Sequence, residues 1–429
     1  MRNERIMRMV SGVKHIRQKK TLIIIPIIYL AGIYGLSQAV KSYIPSFRIA
    51  ILAKFCYWVY VILFVELAVI GLMAVFTVLG TPLKAGRIEK SLSQIGFRDK
   101  MGKPPFLLSE QEDDKCIVFE FYSPGISILE YEKHLSEIET ALNAHIVTID
   151  PGRDIQHVLL KTVTSKNQFA DILPWDDSYL SKEEFILQIG EGWSGTESIN
   201  LNVMPHLLIG GGTGSGKSML LKLLLMQCIK KFAIVYLADF KGGIDYSPEW
   251  HEKCTMILNG ERFSEQLMEI IETMERRKEL LLSEGCANIK EYNEIRKNSM
   301  RRIIVACDEI AEVLDKTGLD KEQKALVNQI ESRLSVLARQ SRAFGIHLIL
   351  ATQRPDADIL KGQIKNNIDC RICGKADKVL SQIILDNSDG AVKIPKDKQG
   401  MFLTNMGTLF KAYYVPDNCF SERKEQENV

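Results

Sequence analysis

The sequence carries no excess of charge of either sign, with 55 Lys and Arg against 53 Asp and Glu for a net +2. An overall basic field is thereby excluded, and any nucleic-acid contact has to come from local basic patches. Nor is there a cysteine framework. Nine cysteines, odd in number and irregularly spaced, exclude a secreted disulfide scaffold and place the bulk of the chain in a reducing cytoplasm. Cys370 and Cys373 form a C-x-x-C, but no second C-x-x-C or C-x-x-H accompanies them. A zinc ligand set is incomplete, and the pair reads as buried strand cysteines. Internal repeats and low-complexity tracts are absent. With 46% hydrophobic and 25% charged residues over 429 positions, disorder as the main state is excluded and two or three domains can be accommodated.

What is present is unevenly placed, since most of the uninterrupted apolar sequence falls before residue 80. Thr21 to Val40 (TLIIIPIIYLAGIYGLSQAV) contains no charge and has the ~20 residues that cross a hydrocarbon core as a helix. Cys56 to Leu79 is a second run of similar length, and the linker between them, with Lys41, Pro45, Arg48 and Lys54, is too short for a domain. A hairpin of two transmembrane helices, about 21–40 and 56–79, is therefore expected. Residues 1–20 form a basic N-terminus with Arg2, Arg5, Arg8, Lys14, Arg17, Lys19 and Lys20 against Glu4 alone, while Lys84, Arg87 and Lys90 follow the second run. This bias puts both flanks, and hence both termini, on the cytoplasmic side of the cell membrane. A cleaved signal is disfavoured because a second span follows at once, and a buried hairpin because polar positions are so few. Glu66 lies in the middle of the second span with no partner acid or base in either run; it is expected protonated or shielded at a helix–helix contact rather than on an ion pathway.

Residues 85–200 are soluble and mixed. CIVFEFY (Cys116 to Tyr122) alternates as a strand, Tyr131 to Leu142 has helical spacing, and AHIVTI and HVLLKTV read as two more strands, which together suggest a small α+β module of structural or assembly role. From 201 to 416, HLLIG, AIVYLADF, RIIVAC and GIHLILAT alternate with helical patterns, each ending just before polar or glycine-rich residues. That order is the mark of an α/β domain with a parallel sheet and crossover helices. A polar tail, 417–429, closes the chain.

Within this domain, Gly211-Gly212-Thr213-Gly214-Ser215-Gly216-Lys217-Ser218 fits G-x-x-x-x-G-K-[ST], follows HLLIG and opens the helical MLLKLLLMQCIK. Glycines allow a tight loop whose N–H groups face phosphate oxygens at a helix N-terminus. Lys217 is suited to neutralise β/γ-phosphate charge and Ser218 to ligate Mg²⁺. ATP and Mg²⁺ are the cofactors this loop implies. A P-loop needs a second acidic element, which RRIIVACDEIAEVLD supplies: Asp308 for the Mg²⁺ shell and Glu309 to orient or deprotonate the attacking water. Gln353, just after the apolar HLILAT, is placed to sense the γ-phosphate. Arg339 and Arg342, before that strand, are candidates for a finger reaching a neighbouring subunit's nucleotide.

Taken in order, these motifs resemble the FtsK/SpoIIIE family of ring-forming DNA translocases. MPHLLIGGGTGSGKS, ADFKGG (Ala238 to Gly243), IETMERRKELLLSEG, VACDEIAEVL and ARQSRAFGIHLILATQRPDADILKGQIKNNIDCRI look like successive family signatures, and FEFYSPGISILEYEKHLSEIETAL is similar to the family's small α/β module. The resemblance covers roughly 115–412 and implies a RecA-like P-loop ATPase that drives DNA through the pore of a homo-hexamer, with each nucleotide at a subunit interface. Lys217, Ser218, Asp308, Glu309 and Gln353 map onto its motifs, with Arg342 as the trans finger and Lys361 and Lys365 as the phosphate-tracking pore residues.

Against the chromosome-segregating members, this chain has two apolar runs, a short connection and only the residues 416–429 beyond GTLFKAYYV. A compact two-span anchor on such a motor looks like the coupling proteins of Gram-positive conjugative elements, which implies a relaxase and the transfer channel as partners. The alternatives are a chromosome or plasmid segregation translocase, a protein-secretion ATPase (disfavoured by the single P-loop) and a non-hydrolytic scaffold, against which Glu309 argues. Strand state stays open, because phosphate contacts serve single-stranded and duplex DNA alike and no aromatic stacking series marks a single-strand channel.

Overall fold

The computed structural model describes residues 2–43, 50–113, 116–164, 169–193, 195–296, 300–353, 362–416 and 419–420. Two units divide the chain, Met1–Gln168 and Phe169–Val429.

The first unit opens with a helix formed by the basic N-terminus, α1 (Arg2–Gln18), which leads through a 3-10 turn at Lys20–Ile23 into α2 (Ile24–Lys41), followed by α3 (Ala50–Leu79). Pro26 lies in the first turn of α2, where its missing N–H would have had no intrahelical partner. Lys20–Lys41 and Ile51–Leu79 are each long and apolar enough to cross a bilayer, and Ile28, Ile51, Phe55 and Ile70 are exposed on them. The two helices run antiparallel: Tyr29 Oη donates to Leu67 O at 2.8 Å and Tyr60 Oη to Ser37 O at 2.8 Å. Glu66, expected at this contact, is instead exposed. The contact falls on Tyr60, Leu67 and Gly71, positions seven and four apart that share a face on which Glu66 does not lie. Pro45 and Arg48 of the linker lie outside the described residues.

After α4 (Ala85–Gln94) comes a four-stranded antiparallel sheet of β1 (Phe106–Asp113), β2 (Cys116–Tyr122), β3 (Ala144–Pro151) and β4 (His157–Thr164), in the order β1-β2-β4-β3. The expected strands are thus present. The helical stretch is split at His134 into α5 (Ile128–Lys133) and α6 (Leu135–Leu142). Leu92, Phe121, Tyr131, Ile138 and Leu160 make the core of this module. Burial pushes the Tyr131 phenol up, and its hydroxyl is held by Ser123.

The second unit is built on a ten-stranded sheet. Its strands are β5 (Ile186–Gly192), β6 (Gly195–Asn200), β7 (Leu207–Gly210), β8 (Ile234–Ala238), β9 (Thr255–Ile257), β10 (Ile303–Cys307), β11 (Ile346–Thr352), β12 (Cys370–Cys373), β13 (Met401–Thr404) and β14 (Leu409–Ala412). Their order is β6-β5-β14-β13-β12-β7-β11-β10-β8-β9, parallel from β12 to β9 and antiparallel from β6 to β13. The helices between them are α7 (Lys217–Lys230), α8 (Pro248–Lys253), α9 (Gly260–Ser283), α10 (Ile289–Arg296), α11 (Ala311–Leu314), α12 (Lys321–Gln340), α13 (Gly362–Lys365), α14 (Lys378–Leu385) and α15 (Asp389–Lys393). Local chemistry starts the longer ones: Asn259 caps α9, and Asp320 with Gln323 forms a reciprocal capping box on α12.

Both faces of the parallel strands are buried, which explains their unbroken apolar runs. Leu208, Val305, Leu348 and Leu350 enter one core, whereas Leu207, Ile209, Ile304, Ile349 and Ala351 enter the other, with α7. The same alternation separates Cys370 from Cys373: three residues apart on β12, they point into opposite cores and cannot share a metal. Burial pushes each thiol up to about 12.

Residues 85–200 were expected to form one module, yet the division falls after Gln168 and Ile186–Asn200 join the large sheet. The edge of β14 provides the pairing partner (Phe410↔Gly192, Ala412↔Gly190). Buried Gln227 of α7 completes it, its side chain both accepting from Gln188 N and donating to Gln188 O at 2.8 Å. Of the polar tail, Cys419 and Phe420 are described, and the Phe420 ring packs 5.0 Å from that of Trp250.

Candidate active site

Neighbouring parallel strands end side by side, and the residues just past their C-terminal ends form one row: the loop 211–216 after β7, Thr352 and Gln353 at β11, Asp308 and Glu309 after β10, and Asp239 after β8. Side chains far apart in sequence meet there because the register aligns the strand ends, as in Thr352↔Gly210 and Cys307↔Ala238. Crevices outside the carboxyl ends of such strands are where open α/β sheets bind ligands.

The loop is held by its main chain. Gly211 N donates to Thr352 O at 3.2 Å, Gly212 N to Lys375 O at 2.7 Å and Gly400 N to Ser215 O at 2.9 Å. Gly214 and Gly216 have φ of +74° and +94°, a region costly for residues with a Cβ. At Gly216 a Cβ would also lie 3.2 Å from Gly400 Cα. Ser215 Oγ is buried in this cradle with no hydrogen-bond partner among the described residues. A glycine-lined concavity at the start of α7 with an unmatched buried hydroxyl fits a phosphate group.

Lys217, 4% exposed, points into the row. Its Nζ donates to Asp308 O at 2.5 Å and lies 3.5 Å from Asp308 Oδ1 and 3.7 Å from Glu309 Oε2. Ser218 Oγ lies 3.2 Å from Asp308 Oδ1, so hydroxyl and carboxylate oxygens converge as a hard divalent cation requires. Glu309 is anchored rather than free: Oε1 accepts from Thr352 Oγ1 at 2.8 Å and Oε2 from Gln353 N at 2.9 Å. The Gln353 side chain reaches the loop, its Oε1 accepting from Thr213 Oγ1 at 3.1 Å. Phosphate-facing loop, cation ligands, buried acid and a polar residue bridging acid to loop are thus contiguous.

Other sequence candidates lie elsewhere. Arg342 is in a 3-10 turn (Arg342–Phe344) before β11, where Nη2 donates to Asn202 O at 3.2 Å. That is the starting edge of the strands, opposite the row, so it does not serve this chain's own pocket. Arg339, on α12, turns back to Ser335 O at 3.1 Å. Lys365 ends α13 and pairs with Asp386 at 2.6 Å, a carboxylate shared with Arg371; these cations hold the Asp386 carboxyl below its usual range, the hydrogen bond from Lys365 contributing most. Lys361 lies outside the described residues.

Three residues had no role from sequence. Thr352 fixes Glu309. Asp239, 2% exposed, accepts from Lys241 N at 3.0 Å and Gly243 N at 2.9 Å, shaping the loop beside Asp308. Lys411 on β14 is buried, and its Nζ donates to Gln399 O at 2.6 Å beneath the turn that abuts Gly216; burial holds its amine below the usual lysine range. Asp239 ends an apolar run as Asp308 does, a visible signal; Thr352 and Lys411 carried none.

Fold and site define a P-loop ATPase. The FtsK/SpoIIIE family signature matches residues 174–357. Among solved structures, that of the pCW3 conjugation coupling protein TcpA, in monomer form with ATPγS, is 35% identical, with a TM-score of 0.59 over 79% of this chain and 96% of that one. Curated relatives include DNA translocase FtsK of Oceanobacillus iheyensis, 29% identical over 385 residues, 79% of this chain and 45% of that protein. DNA translocase SftA of Bacillus subtilis is 29% identical over 299 residues, 66% of this chain and 30% of that protein. The chain spans less than half the length of these two translocases. It belongs to the FtsK/SpoIIIE family.

Proposed function

We propose that this chain is a membrane-anchored ATPase that moves DNA as the coupling protein of conjugative transfer, working as a homo-hexamer on the cytoplasmic face. The observation that carries it is the likeness to TcpA, a conjugation coupling protein, over 96% of that chain. Two helices long and apolar enough to cross a bilayer support the anchor.

In this reading the loop N–H groups and Lys217 bind and orient the triphosphate, and Ser218 with Asp308 holds Mg²⁺. The cation, when bound, neutralises phosphate charge and favours departure of the leaving oxygen. Glu309, oriented by Thr352 and the Gln353 N–H, positions the attacking water and accepts its proton; the Gln353 side chain senses the γ-phosphate. Arg342, at the opposite strand edge, serves the nucleotide of a neighbouring subunit, and Lys361 and Lys365 follow the DNA backbone. A relaxase and channel proteins are the partners this role requires.

The test is ATP hydrolysis by the purified full chain, alone and with single-stranded or duplex DNA, beside mating assays with a Lys217→Ala donor. Stimulation by DNA and loss of transfer with the protein still in the membrane are expected. Normal transfer by Lys217→Ala would overturn the reading. A second reading, segregation of duplex DNA, is favoured by the names of the curated relatives, DNA translocases FtsK and SftA. It predicts a chromosome or plasmid partitioning defect with mating intact.

A further inference from the structure

Helix α1 has three environments around its circumference. One face crosses the end of α3 so closely that a Cβ on Gly12 would lie 2.1 Å from Phe76 O and one on Gly80 2.5 Å from Gly12 N; the neighbouring His15 Nδ1 lies 3.1 Å from Leu79 O. A second face meets the small module, where Ser11 Oγ donates to Leu108 O at 3.1 Å and Arg8 pairs with Glu89 at 2.8 Å. The third face is left open by the described residues. Ile6, Val10 and Val13 are 49%, 44% and 39% exposed, and at spacings of four and three they form one stripe. Arg17 continues that stripe, and Arg5, Lys14, Lys19 and Lys20 are exposed beside it or just beyond it.

We infer that this third face of α1 binds anionic phospholipid headgroups at the cytoplasmic surface of the bilayer. The inference rests on the membrane-anchored reading above. Its location follows from covalent and packing geometry: α1 runs through one 3-10 turn into the first apolar helix and crosses the last turns of the second. A helix so placed lies at the water–hydrocarbon boundary. Its chemistry is complementary to an acidic bilayer surface, with aliphatic side chains for the acyl boundary interleaved with cations for the headgroups. DNA phosphates would match the cations but leave Ile6, Val10 and Val13 without a partner, so lipid is the occupant that uses the whole face. The resulting contact would clamp the second apolar helix and the module, both gripped by α1, to the membrane surface.

The experiment reconstitutes the full chain into membranes of equal phosphatidylglycerol and phosphatidylcholine, extracts it into neutral detergent and measures the ratio of the two lipids retained. Each basic residue near an anionic surface is worth roughly a five-fold gain in binding. Wild type is expected to retain phosphatidylglycerol in clear excess, an excess that falls with added salt. Arg5→Gln/Lys14→Gln/Arg17→Gln is expected to bring the ratio toward one, and Arg17→Gln alone to lower it partway should the triple variant fail to fold. Two-fold or smaller excess in wild type, or an unchanged ratio in folded variants, overturns the inference. So does weaker binding of a labelled DNA duplex by the variants with lipid retention intact. Alkaline carbonate washing of wild-type membranes separates the two levels: protein that stays in the pellet without lipid preference sinks only the headgroup site, whereas protein that washes off sinks the anchor as well.

Discussion

Gln353 holds Glu309 by its main chain and the phosphate loop by its side chain. Its N–H donates to Glu309 Oε2 at 2.9 Å while its Oε1 accepts from Thr213 Oγ1 at 3.1 Å. One residue at the end of β11 thus links the acid at the end of β10 to the loop after β7. Within the proposed function, this link is what would let Gln353 pass a change at the loop to the acid.

Glu309→Gln keeps the side chain's shape and one oxygen, so the Thr352 bond and the longer 3.2 Å contact of Gln353 N with Oε1 can persist, while the amide nitrogen that replaces Oε2 no longer accepts from Gln353 N and the proposed base is removed. Hydrolysis is expected to fall at least ~100-fold, within the usual range for a general base, with ATP affinity within a few-fold of wild type. Steady-state kinetics beside equilibrium binding of a fluorescent ATP analogue checks both, and a large loss of affinity would contradict the assignment.

Thr352→Val conserves volume and deletes the hydroxyl that donates to Glu309 at 2.8 Å. Losing one hydrogen bond to a charged group costs about 1.5–3 kcal/mol. A roughly ten-fold lower kcat with KM nearly unchanged is expected, because the bond orients the acid and touches no phosphate-facing group. An equal rise in KM would assign Thr352 to nucleotide binding instead.

Gly216→Ala is expected to disable the loop. The residue has φ +94°, and its Cβ would press on Gly400 Cα at 3.2 Å. Forcing an L residue into this region costs about 1–2 kcal/mol before any clash. Nucleotide binding should be lost and the thermal midpoint lowered by a few degrees; calorimetry with and without ATP reads both.

At the opposite edge of the sheet, buried Arg302 binds Glu184 at 2.8 Å and donates to His347 Nε2 at 3.0 Å, while His347 Nδ1 donates to Pro205 O at 3.0 Å. Burial, followed by the Arg302 charge, holds the His347 imidazole well below its usual range, and burial brings His206 down to about 4. Both are neutral in the folded chain at a pH where the unfolded chain takes up protons. Their contribution to stability is therefore complete above pH ~6.5 and is lost as pH falls toward 4. Denaturant unfolding from pH 7.5 to 4.5 should show this decline, flattened in His206→Asn. Arg302→Met should lower stability by about 2–4 kcal/mol, below the full cost of breaking a buried pair because Glu184 is 38% exposed.

Linear sequence was enough for whatever depends on neighbours along the chain. The loop Gly211 to Ser218 needs glycines at set positions between a strand and a helix, the acids Asp308 and Glu309 follow a buried apolar run, and Gln353 follows another. The two apolar runs before residue 80 are each long and apolar enough to cross a bilayer's hydrocarbon core, a property of length and composition alone. These features are local, so their residues could be named from spacing.

Tertiary structure decided everything that depends on which segments become neighbours. Strands β5 and β6 read as part of the preceding module, because an alternating strand does not encode its partner and only the edge of β14 captured them. Glu66 faces outward because the packing of α2 against α3 selected another stripe. Lys365 reads as an open cation until the fold brings Asp386 to it. The anchoring of Glu309 by Thr352, the burial of Arg302 among residues 184, 202 and 347, and the face of α1 left open by the described residues all arise from register and packing over long sequence separations. Spacing along the chain names the groups that can do chemistry; strand order and helix crossing choose which of them meet.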